Sequence, residues 1–174
     1  LTAKTITRTV ANDTLELLRK QMLRLKSVTL TAKDKICFIE ETECNPVDCP
    51  YAKGHFDRIN DAIFELMTTK EHYSREEIEA CAQKYKVCPF ELGLDLSEWC
   101  DVVIGDYNYL FDPVVHLKRF FDAAGDWLFL IDEAHNLPGR AREMHSAALT
   151  KTSFYEAKKL LGKGKSSLKN ALTK

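Results

Sequence analysis

Apolar residues recur at helical spacing in several parts of the chain. Between residues 9 and 26 they return about every 3.6 positions with no glycine or proline, which predicts a helix. The same pattern predicts an amphipathic helix over residues 56–68. Ser74 and Glu77 have the Ser-x-x-Glu spacing of a capping box, which indicates a helix running from there to about Lys86. Two more short helices are predicted over residues 89–98 and 114–121.

Short apolar runs follow a different pattern. In residues 26–31, β-branched side chains occur in an alternating pattern, which favours a strand. Residues 101–105 and 127–132 lack a polar face, as is typical of strands buried on both faces of a parallel sheet. The order strand, helix, strand predicts an α/β domain. Residues 33–100 interrupt it as an insertion that is mainly helical, although residues 33–54 favour irregular structure.

Composition places the chain among globular proteins. It has 174 residues, 45% of them hydrophobic and 29% charged, with seven glycines and five prolines. These values exclude collagen-like, low-complexity and wholly disordered chains. The longest apolar run, residues 127–131, is too short to cross a membrane, and the first residues have no signal-peptide core. We therefore expect a soluble, cytoplasmic protein, and a first residue other than Met suggests a piece of a longer one.

Charge is unevenly distributed although the net charge is only −1. Residues 1–32 and 149–174 are basic, whereas residues 33–148 are acidic. The chain as a whole is therefore no generic polyanion binder, but either end could contact phosphate. Solvated helix faces and a basic tail are the alternative, and residues 162–167 are expected to be mobile.

Acidic residues directly follow the apolar run at 127–132. In an open parallel sheet, the carboxyl end of a strand faces the crevice where ligands bind. Asp132 there could hold Mg²⁺, and Glu133 could polarise a water for attack on a phosphate. The alternative is an acid-rich turn, with His135 a buried structural imidazole.

Six cysteines, an even number, would allow a disulfide framework, but a chain of this size without a signal peptide favours reduced thiols. Cys37, Cys44 and Cys49 lie in the irregular segment, and Cys88 precedes Pro89 at the end of a helix. Four thiolates could bind zinc or an iron–sulfur cluster and hold together an insertion with little apolar core of its own. Cys81 and Cys100, on helices among apolar neighbours, are predicted to be core thiols.

Several motifs in sequence order resemble the iron–sulfur-containing superfamily 2 DNA helicases, the XPD/Rad3 and bacterial DinG-like family. They are LTAKT at residues 1–5, KICF at 35–38, DCPYAKGHFDR at 48–58, VCPFEL at 87–92, DYNYLFDP at 106–113 and IDEAHNL at 131–137. The resemblance covers residues 1 to about 147, and its order is more specific than any single motif. It is closest to the bacterial DinG-like members.

The resemblance implies a role for each matching residue. Asp132 and Glu133 would be the Walker B aspartate, which binds Mg²⁺, and the catalytic glutamate, with His135 coupling hydrolysis to motion. The four [4Fe–4S] ligands would be Cys37, Cys44, Cys49 and Cys88, and Lys33 could hydrogen-bond a ligating sulfur. Contacts to single-stranded DNA are expected from five residues: Lys4, Thr5, Tyr107, Asn108 and Tyr109.

The resemblance also implies an architecture, a partial RecA-like motor domain interrupted by an iron–sulfur insertion. The motor-domain pieces would be residues 1–32 and 101–148, and the iron–sulfur insertion would be residues 33–100. Residues 149–174 would be the start of an arch-like insertion or a flexible tail. The intact protein would bind ATP and Mg²⁺ and move 5′→3′ on single-stranded or forked DNA, with no membrane partner.

No Walker A loop is found in the sequence, and KLLGKGKS at residues 159–166 matches it poorly. The Walker A segment, the second motor domain and the rest of the arch would therefore belong to the remainder of the helicase, and this piece alone is expected to be inactive. Two alternatives stay open: a zinc-stapled, non-enzymatic module that binds nucleic acid or protein, and a small hydrolase that uses Asp132, Glu133 and His135.

Overall fold

A small parallel sheet lies at the centre of the first of two compact units, Leu1–His135 and Asn136–Lys174. The computed structural model describes residues 5–39, 43–121, 125–148 and 150–160, without the side chains of residues 5–7 and 121. Strands β1 (Ser27–Thr29), β2 (His72–Tyr73) and β3 (Val102–Ile104) are arranged in the order β2-β1-β3. Ser27 pairs with His72 on one side and Val102 on the other, both in parallel register.

The other described elements are helices, seven of them in the first unit and two in the second. Those of the first unit are α1 (Thr5–Lys20), α2 (Lys33–Ile36), α3 (His55–Thr69), α4 (Arg75–Tyr85), α5 (Pro89–Ser97), α6 (Asn108–Phe111) and α7 (Lys118–Phe121). A 3₁₀ turn follows at Ala134–Asn136, and the second unit contains α8 (Leu137–Met144) and α9 (Lys151–Leu160). The helices within the described ranges are all too short or too polar to span a lipid bilayer.

Local capping explains where two predicted helices begin and end. The capping box of α4 is confirmed: Ser74 Oγ accepts from the Glu77 N–H at 3.3 Å, and a Glu77 carboxylate oxygen accepts from the Ser74 N–H at 3.2 Å. Helix α1 ends six residues earlier than predicted because Met22 is left-handed, with φ 69°. The Leu23 N–H then donates to the Leu18 carbonyl, which completes a Schellman motif.

One hydrophobic core joins β1 to the segment predicted as an insertion. Buried side chains of β1, α3, α4 and α5 pack together, among them Val28, Ile59, Ala62, Leu66, Ile78, Ala82, Leu92 and Leu96. Strand β2, which no pattern predicted, also comes from this segment and pairs with β1. The expectation that residues 33–100 have little apolar core is wrong in this respect, because they share the core of the sheet. The domain boundaries themselves stay a prediction.

Two predicted elements differ in the structure. Residues 125–131 have no regular secondary structure, so the strand predicted at 127–132 is not present. A strand without a polar face needs cover on both faces, whereas Leu128 and Leu130 are 87% and 75% exposed. The run instead lines a cleft of about 910 Å³ with β3.

The helix predicted at 114–121 forms only at its end, as α7. The Asp112 carboxylate accepts hydrogen bonds from the Val114 and Val115 N–H groups, at 2.8 and 3.1 Å. This side chain thereby offers the backbone an alternative to helix. Helix α9 was not predicted, and the segment 162–167 expected to be mobile lies outside the described residues.

Candidate functional site

The four candidate cysteines come from three places in the first unit. Cys37 directly follows α2, and its N–H donates to the Lys33 carbonyl at 3.0 Å. Cys44 is exposed, Cys49 is buried in a turn before α3, and Cys88 is the N-cap of α5. Folding thus presents each thiol at an element end or in a turn, where sulfur can face a cofactor rather than the core.

Lys33 brings three of these cysteines into one electrostatic neighbourhood. Interaction with the Cys44 thiol raises the pKa of Lys33. Partial desolvation opposes this shift, and charge interactions with Cys44, Cys88 and Cys37 reinforce it. An ammonium group in this position would stabilise thiolates, the form of cysteine that binds metals. A hydrogen bond from Lys33 to a ligating sulfur stays a prediction, which these charge interactions favour.

Cys88 occupies the amino-terminal end of α5, with Pro89 as the first helical residue. Burial raises the pKa of Cys88, whereas the backbone N–H groups of Glu91 and Phe90 oppose this rise. Its own N–H donates to Nδ1 of His55 at 3.2 Å, although 33 residues separate the two in sequence. Cys88 therefore sits where the helix dipole favours a negative sulfur, on a backbone fixed by a second helix.

A tight turn holds Cys49 close to the start of α3. The Cys49 carbonyl accepts from the N–H groups of Ala52 and Lys53, at 3.1 and 3.0 Å. Gly54 follows with φ 66°, a conformation that glycine adopts without strain. A Cβ at this position would stand only 2.6 Å from Nη1 of Arg58. The chain can therefore pass directly from the Cys49 turn into α3.

Cys81 and Cys100 have the different environment that was predicted for them. Cys81 lies in the core on α4, and burial raises its pKa to about 11. Cys100 packs against the same core, and burial raises its pKa to about 12. Cys100 lies in the turn after α5 rather than on a helix. Burial in an apolar core thus disfavours the thiolate form of both residues.

The donor set suits a cluster bound by cysteines. Thiols are the ligands that iron–sulfur clusters and zinc both accept, and a cation lies among three of the four candidates. Within the described ranges, no three His, Cys, Asp or Glu side chains are grouped closely enough to hold a metal ion. The candidate ligands therefore fit a thiolate-bound group in their chemistry, and their grouping around one metal or cluster stays a prediction.

The acidic motif lies at the other end of the first unit, after the cleft. The Tyr107 hydroxyl donates a hydrogen bond to the backbone carbonyl of Asp132. Glu133 is left-handed, with φ 49°, and the 3₁₀ turn containing His135 follows. Asp132 and His135 are exposed and Glu133 is half-buried. The carboxylates are thus presented at the surface, on a backbone that Tyr107 ties to the segment after β3.

The candidate DNA contacts are placed unequally. Tyr107 is only 1% exposed, so its ring lies in the protein interior, whereas Asn108 and Tyr109 are half-buried. Burial raises the pKa of Tyr109, which packs closely against Gly105. Thr5 begins α1, and Lys4 lies outside the described residues. Contact with DNA stays a prediction for all five, and for Tyr107 it would require the ring to leave the interior.

Sequence reasoning missed two residues that hydrogen-bond the backbone at and just before Cys88, His55 and Arg58. Arg58 donates from Nε to the Tyr85 carbonyl at 2.8 Å and from Nη2 to the Lys86 carbonyl at 2.6 Å. A signal was available, because His55 and Arg58 are one turn apart inside the motif DCPYAKGHFDR. Their partners lie about 30 residues downstream, and no local pattern indicates such a contact.

Comparison with known proteins shows the family to which the chain belongs. The DEAD_2 family matches residues 13–154. The chain belongs to this family. The helicase subunit XPD of general transcription and DNA repair factor IIH from Schizosaccharomyces pombe is 26% identical over 122 residues, 70% of the chain and 16% of that protein. The match confirms the resemblance to XPD/Rad3-type superfamily 2 helicases, while a closer relation to bacterial DinG-like members stays a prediction.

Other relatives agree with this placement of the DEAD_2 chain. The regulator of telomere elongation helicase 1 homolog of Anopheles gambiae is 25% identical over 146 residues, 77% of the chain and 15% of that protein. The Fanconi anemia group J protein homolog of Gallus gallus is 29% identical over 100 residues, 58% of the chain and 8% of that protein. The chain thus spans a sixth or less of the length of these relatives.

Proposed function

We propose that the chain is part of an ATP-dependent DNA helicase and carries its cluster-binding segment and Walker B motif. The observation that carries the proposal is the neighbourhood of Lys33 with Cys37, Cys44 and Cys88 in a DEAD_2 chain that also contains Asp-Glu-Ala-His. Relatives named as helicases support the activity of the intact protein. By itself the piece would not turn over ATP.

In this proposal Cys37, Cys44, Cys49 and Cys88 hold a [4Fe–4S] cluster. When bound, the cluster would cross-link the irregular segment to the carboxyl end of α2 and the amino-terminal end of α5. Lys33 would offset the negative charge of the thiolates, and the amino-terminal end of α5 would do the same for Cys88. The iron–sulfur insertion would extend over residues 33–100, between motor-domain pieces at 1–32 and 101–148.

At the acidic motif the proposed work is ATP hydrolysis. Asp132 would hold Mg²⁺ through its carboxylate, and Glu133 would orient and polarise the attacking water. His135, in the next turn, would pass the state of the nucleotide to the parts that hold DNA. The protein would move 5′→3′ on single-stranded or forked DNA, with Asn108 and Tyr109 near the strand.

Metal content tests this proposal against a zinc-stapled binding module. Iron, acid-labile sulfide and zinc are measured in the full-length protein after anaerobic purification. We expect about four irons and four sulfides per chain, as a [4Fe–4S] cluster requires. Cys88→Ser should abolish both, and Cys100→Ser, a matched loss of another half-buried thiol, should keep both. One zinc and no iron would contradict the proposal, as would equal iron content in the two variants.

A further inference from the structure

A buried histidine links the two segments that carry Cys49 and Cys88. His55 is 5% exposed and begins α3 immediately after the Cys49 turn. A buried polar ring is costly unless it is hydrogen-bonded, and Nδ1 of His55 accepts the Cys88 N–H at 3.2 Å. Because a backbone N–H can only donate, Nδ1 must be the unprotonated ring nitrogen. The imidazole is therefore a defined bridge between the start of α3 and the start of α5.

Arg58 adds a second link one turn along α3. Its guanidinium bonds the carbonyls of Tyr85 and Lys86, which end α4 just before Cys88, and the Lys53 carbonyl at 2.8 Å. Lys86 is left-handed, with φ 53°, so the chain reverses there towards Cys88. Two side chains of α3 thus hydrogen-bond the backbone at the end of α4 and at Cys88 itself.

We infer that His55 and Arg58 are positioning residues that set the Cys88 thiol relative to Cys49 before any cofactor binds. The inference rests on the proposed function, because it assigns these two residues to a cluster site. Neither side chain needs to touch the cluster: His55 holds the Cys88 backbone, and Arg58 holds the two carbonyls before it. Fixing the backbone of an N-cap residue fixes its Cα–Cβ direction and so limits the positions that its sulfur can take at the helix end.

The test compares cluster lifetimes in full-length protein purified anaerobically. His55→Leu removes the acceptor, whereas His55→Asn places an amide oxygen close to the position of Nδ1. We expect His55→Leu to lose the cluster about two- to tenfold faster under a chelator, and His55→Asn to stay near the parent rate. The readouts are the visible absorbance of the cluster and released iron. Equal lifetimes in all three proteins, or equal acceleration in both variants, would overturn the inference.

Arg58→Gln extends the test to a side chain that is only partly buried. It should shorten the cluster lifetime about tenfold, because three charge-assisted hydrogen bonds are lost. Lys84→Gln is the matched control, since Lys84 also joins α4 to α3, through Glu65, without bonding the Cys88 segment. An unchanged cluster lifetime in Arg58→Gln would refute the positioning role of Arg58. This result can be obtained even if His55→Leu fails to fold.

Hydrogen exchange separates this inference from the proposed function. In the cluster-free protein, exchange of the Cys88 amide should be about two- to tenfold faster in His55→Leu than in the parent and nearly unchanged in His55→Asn. If the parent protein binds a cluster and all variants behave alike, the anchor alone is wrong. If the parent binds no cluster, the proposed cluster site is wrong, whereas equal exchange of the Cys88 amide in the parent and in His55→Leu would show that the positioning role of His55 is wrong.

Discussion

Two buried tyrosines should respond in opposite ways to loss of the hydroxyl group. Tyr73 is 0% exposed, and its hydroxyl is buried without a hydrogen-bond partner in the part of the chain that the structure describes. Burial raises its pKa to about 12. Tyr107 is as deeply buried, but its hydroxyl donates to the Asp132 carbonyl. Tyr73→Phe and Tyr107→Phe therefore remove the same atom from two different hydrogen-bonding states.

The magnitudes follow from the cost of burying a polar group. An unsatisfied buried hydroxyl costs about 1–3 kcal/mol, so Tyr73→Phe should raise the free energy of unfolding by about 1 kcal/mol. A satisfied hydroxyl contributes about 0.5–1.5 kcal/mol net, so Tyr107→Phe should lower it by a similar amount. Since Asp132 is exposed, its carbonyl can bond water instead, which places the loss towards the lower end. The two variants should therefore differ by about 1.5–2 kcal/mol.

Urea denaturation of the chain at neutral pH, followed by far-UV circular dichroism, measures both values against the parent. The slopes with urea should match, since neither change alters the area exposed on unfolding. A Tyr73→Phe variant that is destabilised as much as Tyr107→Phe would show that the Tyr73 hydroxyl is satisfied after all.

Two further predictions concern catalysis and pH. Glu133→Gln in the full-length protein should reduce DNA-stimulated ATP turnover at least 100-fold while nucleotide binding is kept, as is typical for loss of a general base. Phosphate release measures the turnover and equilibrium binding measures the affinity for nucleotide. Normal turnover would exclude Glu133 as the catalytic residue. Burial and nearby Arg19 lower the pKa of His72 from 6.5, while Glu77 and Glu16 oppose the shift. Its Nδ1 lies 2.9 Å from Ser27 Oγ. Because the unfolded state then binds the proton more tightly, stability should fall as the pH drops below about 6.5, and His72→Asn should flatten this dependence in urea titrations across pH 5 to 8.

Elements with local signals could be predicted from the sequence, and those that depend on distant partners could not. The start of α4 is set by Ser74 and Glu77, three residues apart, and the prediction was confirmed. Strand β2 has two residues, and only its pairing with Ser27 and Val28 makes it a strand. Residues 127–132 show the converse, because an apolar run predicts burial but does not supply the neighbours that bury it.

The candidate site divides in the same way. Cysteine spacing and the turn before Pro89 identified the candidate ligands, since ligand type and element ends are properties of short segments. His55 could not be connected to Cys88, nor Arg58 to Lys86, because each contact crosses about 30 residues. These long-range contacts are seen only in the folded structure.

Contacts of α5 extend from the proposed cluster site towards the residues that precede the acidic motif. Helix α5 begins at Cys88, and its acidic face binds Arg119 of α7: one guanidinium nitrogen lies 3.0 Å from both Asp95 and Glu98. The next residue, Phe120, packs edge-on against Trp127 with ring centroids 5.2 Å apart, at the start of the run that leads to Asp132. These contacts form a continuous chain of neighbours from α5 to the residues that precede the acidic motif. Because α5 also packs on β1 in the shared core, loss of a cluster at Cys88 should loosen the approach to Asp132 as well as residues 33–100.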